Sequence, residues 1–400
     1  MQQTIRQTPT TECPTPTHTF WGAIWAFCKK NAMMLIAMLA AIITMFFVPP
    51  DAEYAKYFDV SQLRTLTCLF CTLAVICALK NVRFFYILAR KVVQVFKTAR
   101  ISVLAIVYIT FLGSMLLAND MALLTFLPLG FLVLTTTGKQ KYMAFTFIMQ
   151  NIAANLGGML TPFGNPQNLF LYNTFNIPTG EFMAIMLPPF LLSVTLITLC
   201  CLLFVKSEPL ELPDEKVSLP MARTIVYLVL FVFAIALILV RDIPFPVWIA
   251  LAAIVPIALL FLDAKALLKV DYPLLLTFVS FFVFAGNMGR IEAVSNLFRP
   301  LMETNPLLFS ALSCQFISNV PSATLLAQFI PETAVADLLV GVNIGGVGTL
   351  IASLASLITF REYTKNNPGK TKYYVGLFSA FNFAFLFILA GFMLLLGIWI

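Results

Sequence analysis

Residues 155–168 read NLGGMLTPFGNPQN, and residues 343–356 read NIGGVGTLIASLAS. Aligned without gaps, Asn155, Gly157, Gly158 and Thr161 fall on Asn343, Gly345, Gly346 and Thr349. Each stretch lies within an apolar run long enough for a membrane span. Each places glycine, amide and hydroxyl residues where a helix through hydrocarbon should stay unbroken. Main chain freed at such a break finds no partner in lipid, so it persists only buried in protein or around a cavity. Two breaks with matching residues read as the two halves of an internal repeat that share one pocket.

Working outward, a second pair of matching features precedes each break. The apolar segments 101–137 and 305–330 are interrupted midway by polar clusters, LLANDMALLTFLPL around Asn119 and FISNVPSATLLAQF around Asn319. Each reads as a re-entrant hairpin with a polar tip. Further upstream, each half opens with an aspartate before an apolar span: Asp59 before SQLRTLTCLF, and Asp271 before YPLLLTFVSFF. The remaining apolar runs, 31–48, 62–79, 142–172, 182–205, 224–240, 245–262, 272–289, 335–360 and 374–400, bring the chain to about nine crossings of a ~30 Å core.

Composition agrees. Of 400 residues, 60% are hydrophobic and 11% charged, against roughly a quarter charged in soluble domains. The formal net charge of +7 does not point to nucleic acid, because Lys and Arg gather in short loops beside the spans, where they set orientation. With the N-terminus in the cytoplasm, Lys80 to Arg100, Lys139, Lys141, Lys206, Lys265, Lys269 and Arg361 to Lys372 fall inside. The connectors 51–59 and 173–181 then fall outside. This assignment closes only if both interrupted segments return to their side of origin, the first hairpin opening inward and the second outward. Arg241, Arg290 and Arg299 are its exceptions. The expected fold is an all-α polytopic membrane protein, multi-pass in the inner (plasma) membrane. It is an inverted repeat with two re-entrant hairpins and two broken helices, the halves related by a two-fold axis in the membrane plane.

The divisions follow: a cytoplasmic tail and amphipathic lead-in at 1–30, a first repeat at 31–205, a linker at 206–223 and a second repeat at 224–400. No small-residue cleavage site follows the first apolar run, so it reads as an uncleaved span. Residues 82–100, apolar on one side and basic on the other, fit an interfacial helix or a retention signal equally. Arg290 and Glu292 read as an interfacial pair, and Pro128, Pro188, Pro189 and Pro256 as kinks. Of eight cysteines, six lie in apolar segments, and His18 is the sole histidine. No disulfide framework, zinc site or histidine chemistry is expected.

Broken helices bring opposing tools to bilayer depth: N-terminal NH groups and positive dipole ends for anions, carbonyl and side-chain oxygens for cations. The expected substrate-binding residues are Asn119, Thr161, Asn165, Gln167 and Asn168 from one half, with Ser318, Asn319, Ser322, Thr349, Ser353 and Ser356 from the other. The bland alternative makes the glycines packing residues and the hydroxyls and amides interhelical glue. Asp120 is the one acid in either hairpin. An ionised carboxylate at that depth must be protonated, paired or hydrated, which makes it the candidate for proton or sodium coupling, with Asn119, Asn155, Asn319 and Asn343 beside it. Its alternative role is to cap the return helix.

These residues resemble an ion transporter superfamily that holds arsenite-efflux permeases, NhaD-type sodium/proton antiporters, citrate carriers and divalent anion/sodium symporters. LANDMALLTFLPL from Leu117, SNVPSATLL from Ser318 and the two broken-span motifs carry the resemblance, which covers nearly the whole chain after the tail. The symporters have Ser-Asn-Thr at both tips. Here the tips read Asn119-Asp120 and Ser318-Asn319-Val320, so the two sodium sites transfer incompletely, to Asn119, Gly157, Asn165, Asn319 and Gly345. The resemblance implies elevator-type alternating access and a homodimer. The expected function is proton- or sodium-coupled transport of a small anion, a di- or tricarboxylate or an oxyanion, by alternating access. The alternatives are a sodium/proton antiporter and a non-transporting membrane protein. HExxH, GxSxG and Walker sequences are absent, so no enzyme is expected. No cofactor beyond the coupling ion and no nucleic-acid partner is expected.

Overall fold

The computed structural model describes residues 27–28, 31–210, 219–240 and 242–397. Most of the expected N-terminal tail, residues 211–218 of the linker, Arg241 and residues 398–400 of the last span lie outside the described residues. Among the described residues the fold is all-helical, with 18 α-helices and a lone β-bridge between Thr98 and Pro209.

The first half runs α1 (Ala32–Phe47), α2 (Val60–Asn81), α3 (Phe84–Gln94), α4 (Ala99–Ser114), α5 (Asn119–Thr136), α6 (Met143–Gly157), α7 (Pro166–Thr174) and α8 (Thr179–Phe204). The second runs α9 (Met221–Leu239), α10 (Phe245–Ala252), α11 (Ile254–Leu268), α12 (Tyr272–Arg290), α13 (Glu292–Thr304), α14 (Pro306–Ile317), α15 (Asn319–Leu326), α16 (Val335–Ile344), α17 (Leu354–Asn366) and α18 (Thr371–Leu396). From α2 to α8 and from α12 to α18 the order is the same: span, short amphipathic helix, helical hairpin, broken span, long span. Seven stretches are long and apolar enough to cross a membrane, namely α2, α5, α8, α9, α10 with α11, α12 and α18. The protein is multi-pass. The two broken spans escape that length test because each is split in two.

Local chemistry sets the boundaries. The Asp59 carboxylate accepts from the Ser61 and Gln62 N–H groups, and Asp271 accepts from Leu274, so both halves open on an aspartate N-cap. In the first broken span α6 ends at Gly157. Thr161 and Asn165 are extended, and Pro166 starts α7 at a position where its missing N–H costs nothing. In the second, Gly348 has φ +129°, open to glycine alone, and an extended Ser353 caps α17 by accepting from Ala355.

Glycines let the broken spans lie against the hairpins. A Cβ on Gly157 would strike the Phe111 carbonyl oxygen and Ser114 Oγ of α4, and one on Gly345 would strike Ala311 and Cys314 of α14. In lipid, where burial does not drive helices together, such close approach is a main source of cohesion. Across the halves, α1 packs along α12, and α9 and α11 pack along α2.

Three sequence expectations change. Arg290 pairs with Asp51 and donates to the Tyr57 hydroxyl at 3.3 Å, not to Glu292, which sits in the first turn of α13 where an acid suits the helix dipole. The basic segment 82–100 contains α3, whose Phe85, Ile87, Ala89 and Val93 are buried against protein, so that face does not rest on lipid. The span starting at 245 runs on to Leu268 through a break at Ala253 and a non-helical Asp263.

The linker binds the first hairpin by both feet. Ala99 N–H donates to the Glu208 carbonyl (2.8 Å), Leu210 N–H to Lys97 (2.9 Å) and Arg100 Nε to Val205 (2.7 Å). The Glu208 carboxylate takes Lys141, Lys139 Nζ (2.9 Å) and the Tyr142 hydroxyl (3.0 Å).

Candidate functional site

The two hairpin tips, separated by some 200 residues in sequence, line one cavity of about 40 Å³. Its wall holds Asn119 and Asp120, Pro166, Ser318 to Pro321, and Ser353 with Leu354; Met33 of α1 and Leu274, Thr277 and Phe281 of α12 close it. Four helices thus begin at this cavity: α5, α7, α15 and α17. Among the described residues, no lysine or arginine lines it, and Asp120 is its one acidic side chain.

The tips are built alike. Asn119 Oδ1 accepts from the Asp120 N–H and Asn319 Oδ1 from the Val320 N–H, both at 2.9 Å. Each asparagine, the first residue of its return helix, thereby takes up the N–H that follows it, and the Asp120 side chain makes no such bond among the described residues. Asp120 Oδ1 is shielded from solvent and has no hydrogen-bond partner among the described residues. The position matching Asp120 in the second tip is Val320, so the carboxylate is unique to one half.

Behind the cavity, a chain of amides joins the halves. Asn119 Nδ2 donates to Asn155 Oδ1 (3.1 Å), Asn165 Nδ2 to the Asn155 carbonyl (3.3 Å) and to Asn343 Oδ1 (3.2 Å), and Asn343 Nδ2 to Asn168 Oδ1 (2.6 Å). Asn168 Nδ2 in turn ties the Gly158, Met159 and Thr161 carbonyls of the break together. All five amides are at least nine-tenths buried. Gly346 lies beneath them: a Cβ there would crowd Asn319 Nδ2 and Asn155 Oδ1.

The sequence-expected residues divide by geometry. Asn119, Asp120, Ser318, Asn319 and Ser353 line the cavity, while Asn155, Asn165, Asn168 and Asn343 form the network. Thr161 and Thr349 lie off the cavity and do matching work, donating to the Met115 and Gln315 carbonyls at 2.7 and 2.9 Å, so that each ties its break to the end of a hairpin arm. Ser322 is held by Ser313 within its hairpin (2.9 Å). Gln167 and Ser356 are buried with side-chain atoms that have no partner among the described residues, away from the cavity wall. Of the sodium set, Asn165 Oδ1 is a buried oxygen without a partner among the described residues, Gly157 serves packing, and the Gly345 carbonyl already accepts from Gln315 (2.9 Å).

Sequence reading missed Gln315, whose Nε2 also reaches the Val347 carbonyl (3.2 Å) and whose Oε1 accepts from Thr349 N–H (2.8 Å). Thr277 was missed as well. Its only signal was its place six residues after Asp271, where Thr65 stands after Asp59.

Comparisons with known proteins follow the same lines. A family model described as "Citrate transporter" (CitMHS) matches residues 23–341. The chain is 30% identical over 310 residues to the uncharacterized transporter MJ0456 of Methanocaldococcus jannaschii, covering 76% of this chain and 82% of that one. It is 30% identical over 290 residues to the inner membrane protein YbiR of Escherichia coli K12, covering 70% and 74%. The fold is similar to the crystal structure of the YdaH transporter of Alcanivorax borkumensis, with a TM-score of 0.52 at 14% identity, covering 95% of this chain and 98% of that one. With a family model spanning both hairpins and the first broken helix, this chain belongs to the citrate transporter (CitMHS) family of membrane transporters.

Proposed function

We propose that the chain is a proton-coupled secondary transporter of a small anion, a carboxylate or an inorganic oxyanion, bound between the hairpin tips and exposed alternately to either side. The observation that carries this reading is the meeting of four helix N-termini around one cavity that, among the described residues, holds a carboxylate and no basic side chain. The positive dipole ends of helices attract anions without needing lysine or arginine. In the absence of substrate, Asp120 is the anion those ends face. A substrate anion arriving in the same small space repels an ionised Asp120, so it enters together with a proton on that carboxylate. Leaving on the other side, the anion releases the proton as well. Coupling then follows from like charges competing for one positive field.

The cavity volume of about 40 Å³ is near a single water's ~30 Å³ share of liquid. A carboxylate substrate therefore requires the tips to part. A second reading, sodium/proton exchange, is favoured by the ion-sized cavity and by two shielded oxygens without partners among the described residues, Asp120 Oδ1 and Asn165 Oδ1. Flux into proteoliposomes with imposed pH or sodium gradients separates the two, with citrate, succinate, sulfate and arsenite as trial substrates. Uptake of one of these driven by an inward proton gradient without sodium supports the anion reading. Gradient-driven sodium movement with no anion uptake supports the second, and silence under every gradient overturns both.

A further inference from the structure

We infer that the second hairpin is the gate of the site and that Ser318 is its strained hinge, a positioning residue that keeps the closed tip ready to open. The inference rests on the transport reading above, since it assigns the moving part of that site. Ser318 has φ +74° and ψ +157°, a region that is essentially glycine's alone. It is one of three non-glycine residues with positive φ among the described residues, and the one that lines the cavity. The matching residue of the first tip, Ala118, is relaxed at φ −51° and ψ +142°. The tips are otherwise alike at Asn119 and Asn319, so the strain belongs to one hairpin.

What holds Ser318 in this state is its docking onto the second broken span. Asn319 N–H donates to the Ala352 carbonyl at 2.9 Å, and Ser318 Oγ reaches the same oxygen at 3.3 Å. Ala352 is fixed in turn, its N–H donating to Thr349, which Gln315 grips at both N–H and hydroxyl. Undocking the tip from Ala352 frees Ser318 to return to ordinary backbone. Strain therefore offsets part of the docking, and the gate is not locked.

The feet of the hairpins differ in the same sense. Those of the first are clamped by residues 205–210 through backbone bonds and the Glu208 ion pairs. Those of the second rest on Phe298 of α13, stacked on Phe329 and edge-on to Phe309, an apolar contact without ion pairs among the described residues.

Glycine and alanine at position 318 separate strain from side-chain loss, because both remove the hydroxyl and only glycine relieves the backbone. The reporter is a cysteine in the cavity wall, Thr277→Cys, labelled by a polar maleimide in the detergent-solubilised full chain with the parent chain as blank. Leu354→Cys, on another wall, repeats the measurement. The S318A chain should label at least about five-fold faster than the S318G chain, the factor that corresponds to the low end of such strain. Equal rates, or faster labelling in S318G as a merely flexible tip would give, overturn the hinge. Slowing by A118G equal to that by S318G overturns it too, since Ala118 has no strain to relieve. Labelling requires no transport, so failure of the hinge with anion uptake intact, and failure of uptake with the hinge intact, are separate results.

Discussion

Asp120 shows how one residue was legible while its surroundings were not. A lone acid in a polar tip stands out in any apolar sequence, but a choice between capping and coupling needs coordinates. Asn119 Oδ1 takes up the Asp120 N–H at 2.9 Å, while the Asp120 carboxylate makes no cap bond and lines the cavity. Asp120→Asn keeps the shape and fixes the group as neutral. The expected result is loss of proton-gradient-driven uptake by about ten-fold or more, as for a site that must change charge in each cycle, with anion binding kept. Full proton-driven uptake in D120N would remove the carboxylate from the coupling scheme. Asn343 is a second test at this scale. It accepts from Asn165 and donates to Asn168, so Asn343→Leu leaves two buried amides short of partners, at about 1–3 kcal/mol each. Thermal unfolding in detergent should show a clear drop in midpoint, larger than for Asn366→Leu on the rim of α17, whose amide bonds within its own helix. Thr277 and Gln315 gave no comparable signal, because a threonine or glutamine in a span reads as an ordinary helix residue until its neighbours are known.

At the scale of elements, periodicity, length and glycine placement gave most of the spans, the two polar-tipped helix pairs and both breaks, whereas α1, at 16 residues, falls short of span length and α5, expected as a hairpin arm, reaches it. The two amphipathic helices were harder. α3 was visible through its basic face, whereas α13 was hidden because Glu292, Asn296, Arg299, Glu303 and Thr304 break any apolar run. The linker strap was hidden for another reason: Glu208 looks like one acid in a polar connector until Lys139, Lys141 and Tyr142 from 66–69 residues away are found around it. Lys141, then Lys139 and Tyr142, draw the Glu208 carboxyl down to about 2. A group whose folded value is depressed supports the fold above its ordinary value of about 4.5 and loses that support as pH falls from there towards 2. The strap therefore holds throughout the range from pH 5 to 8. Glu208→Gln should loosen the feet of the first hairpin, seen as faster backbone hydrogen exchange at 97–100 and 139–142, with the pH profile of uptake between pH 5 and 8 unchanged in shape. A shifted profile would assign proton sensing to the strap and away from Asp120.

For the whole molecule, the matching order of α2 to α8 and α12 to α18 gives both halves the same parts in the same sequence. The matched threonine bonds to Met115 and Gln315 show that corresponding residues do corresponding work. The expected inversion adds a condition on direction that the order of parts does not contain. It comes from charge: Lys139 and Lys141 follow the first hairpin, whereas Glu303 and Glu332 flank the second, and basic loops stay in the cytoplasm. Two hairpins entering from opposite faces can meet tip to tip around one cavity and take turns exposing it. Two entering from the same face would lie side by side, and the cavity could open one way only. Single cysteines decide this. With a membrane-impermeant thiol reagent applied to intact cells, Glu332→Cys should label and Lys139→Cys should stay silent until the membrane is permeabilised. Labelling of both from the same side would leave the helical fold and the family in place but end alternating exposure through inverted halves, and with it the coupling scheme built on Asp120.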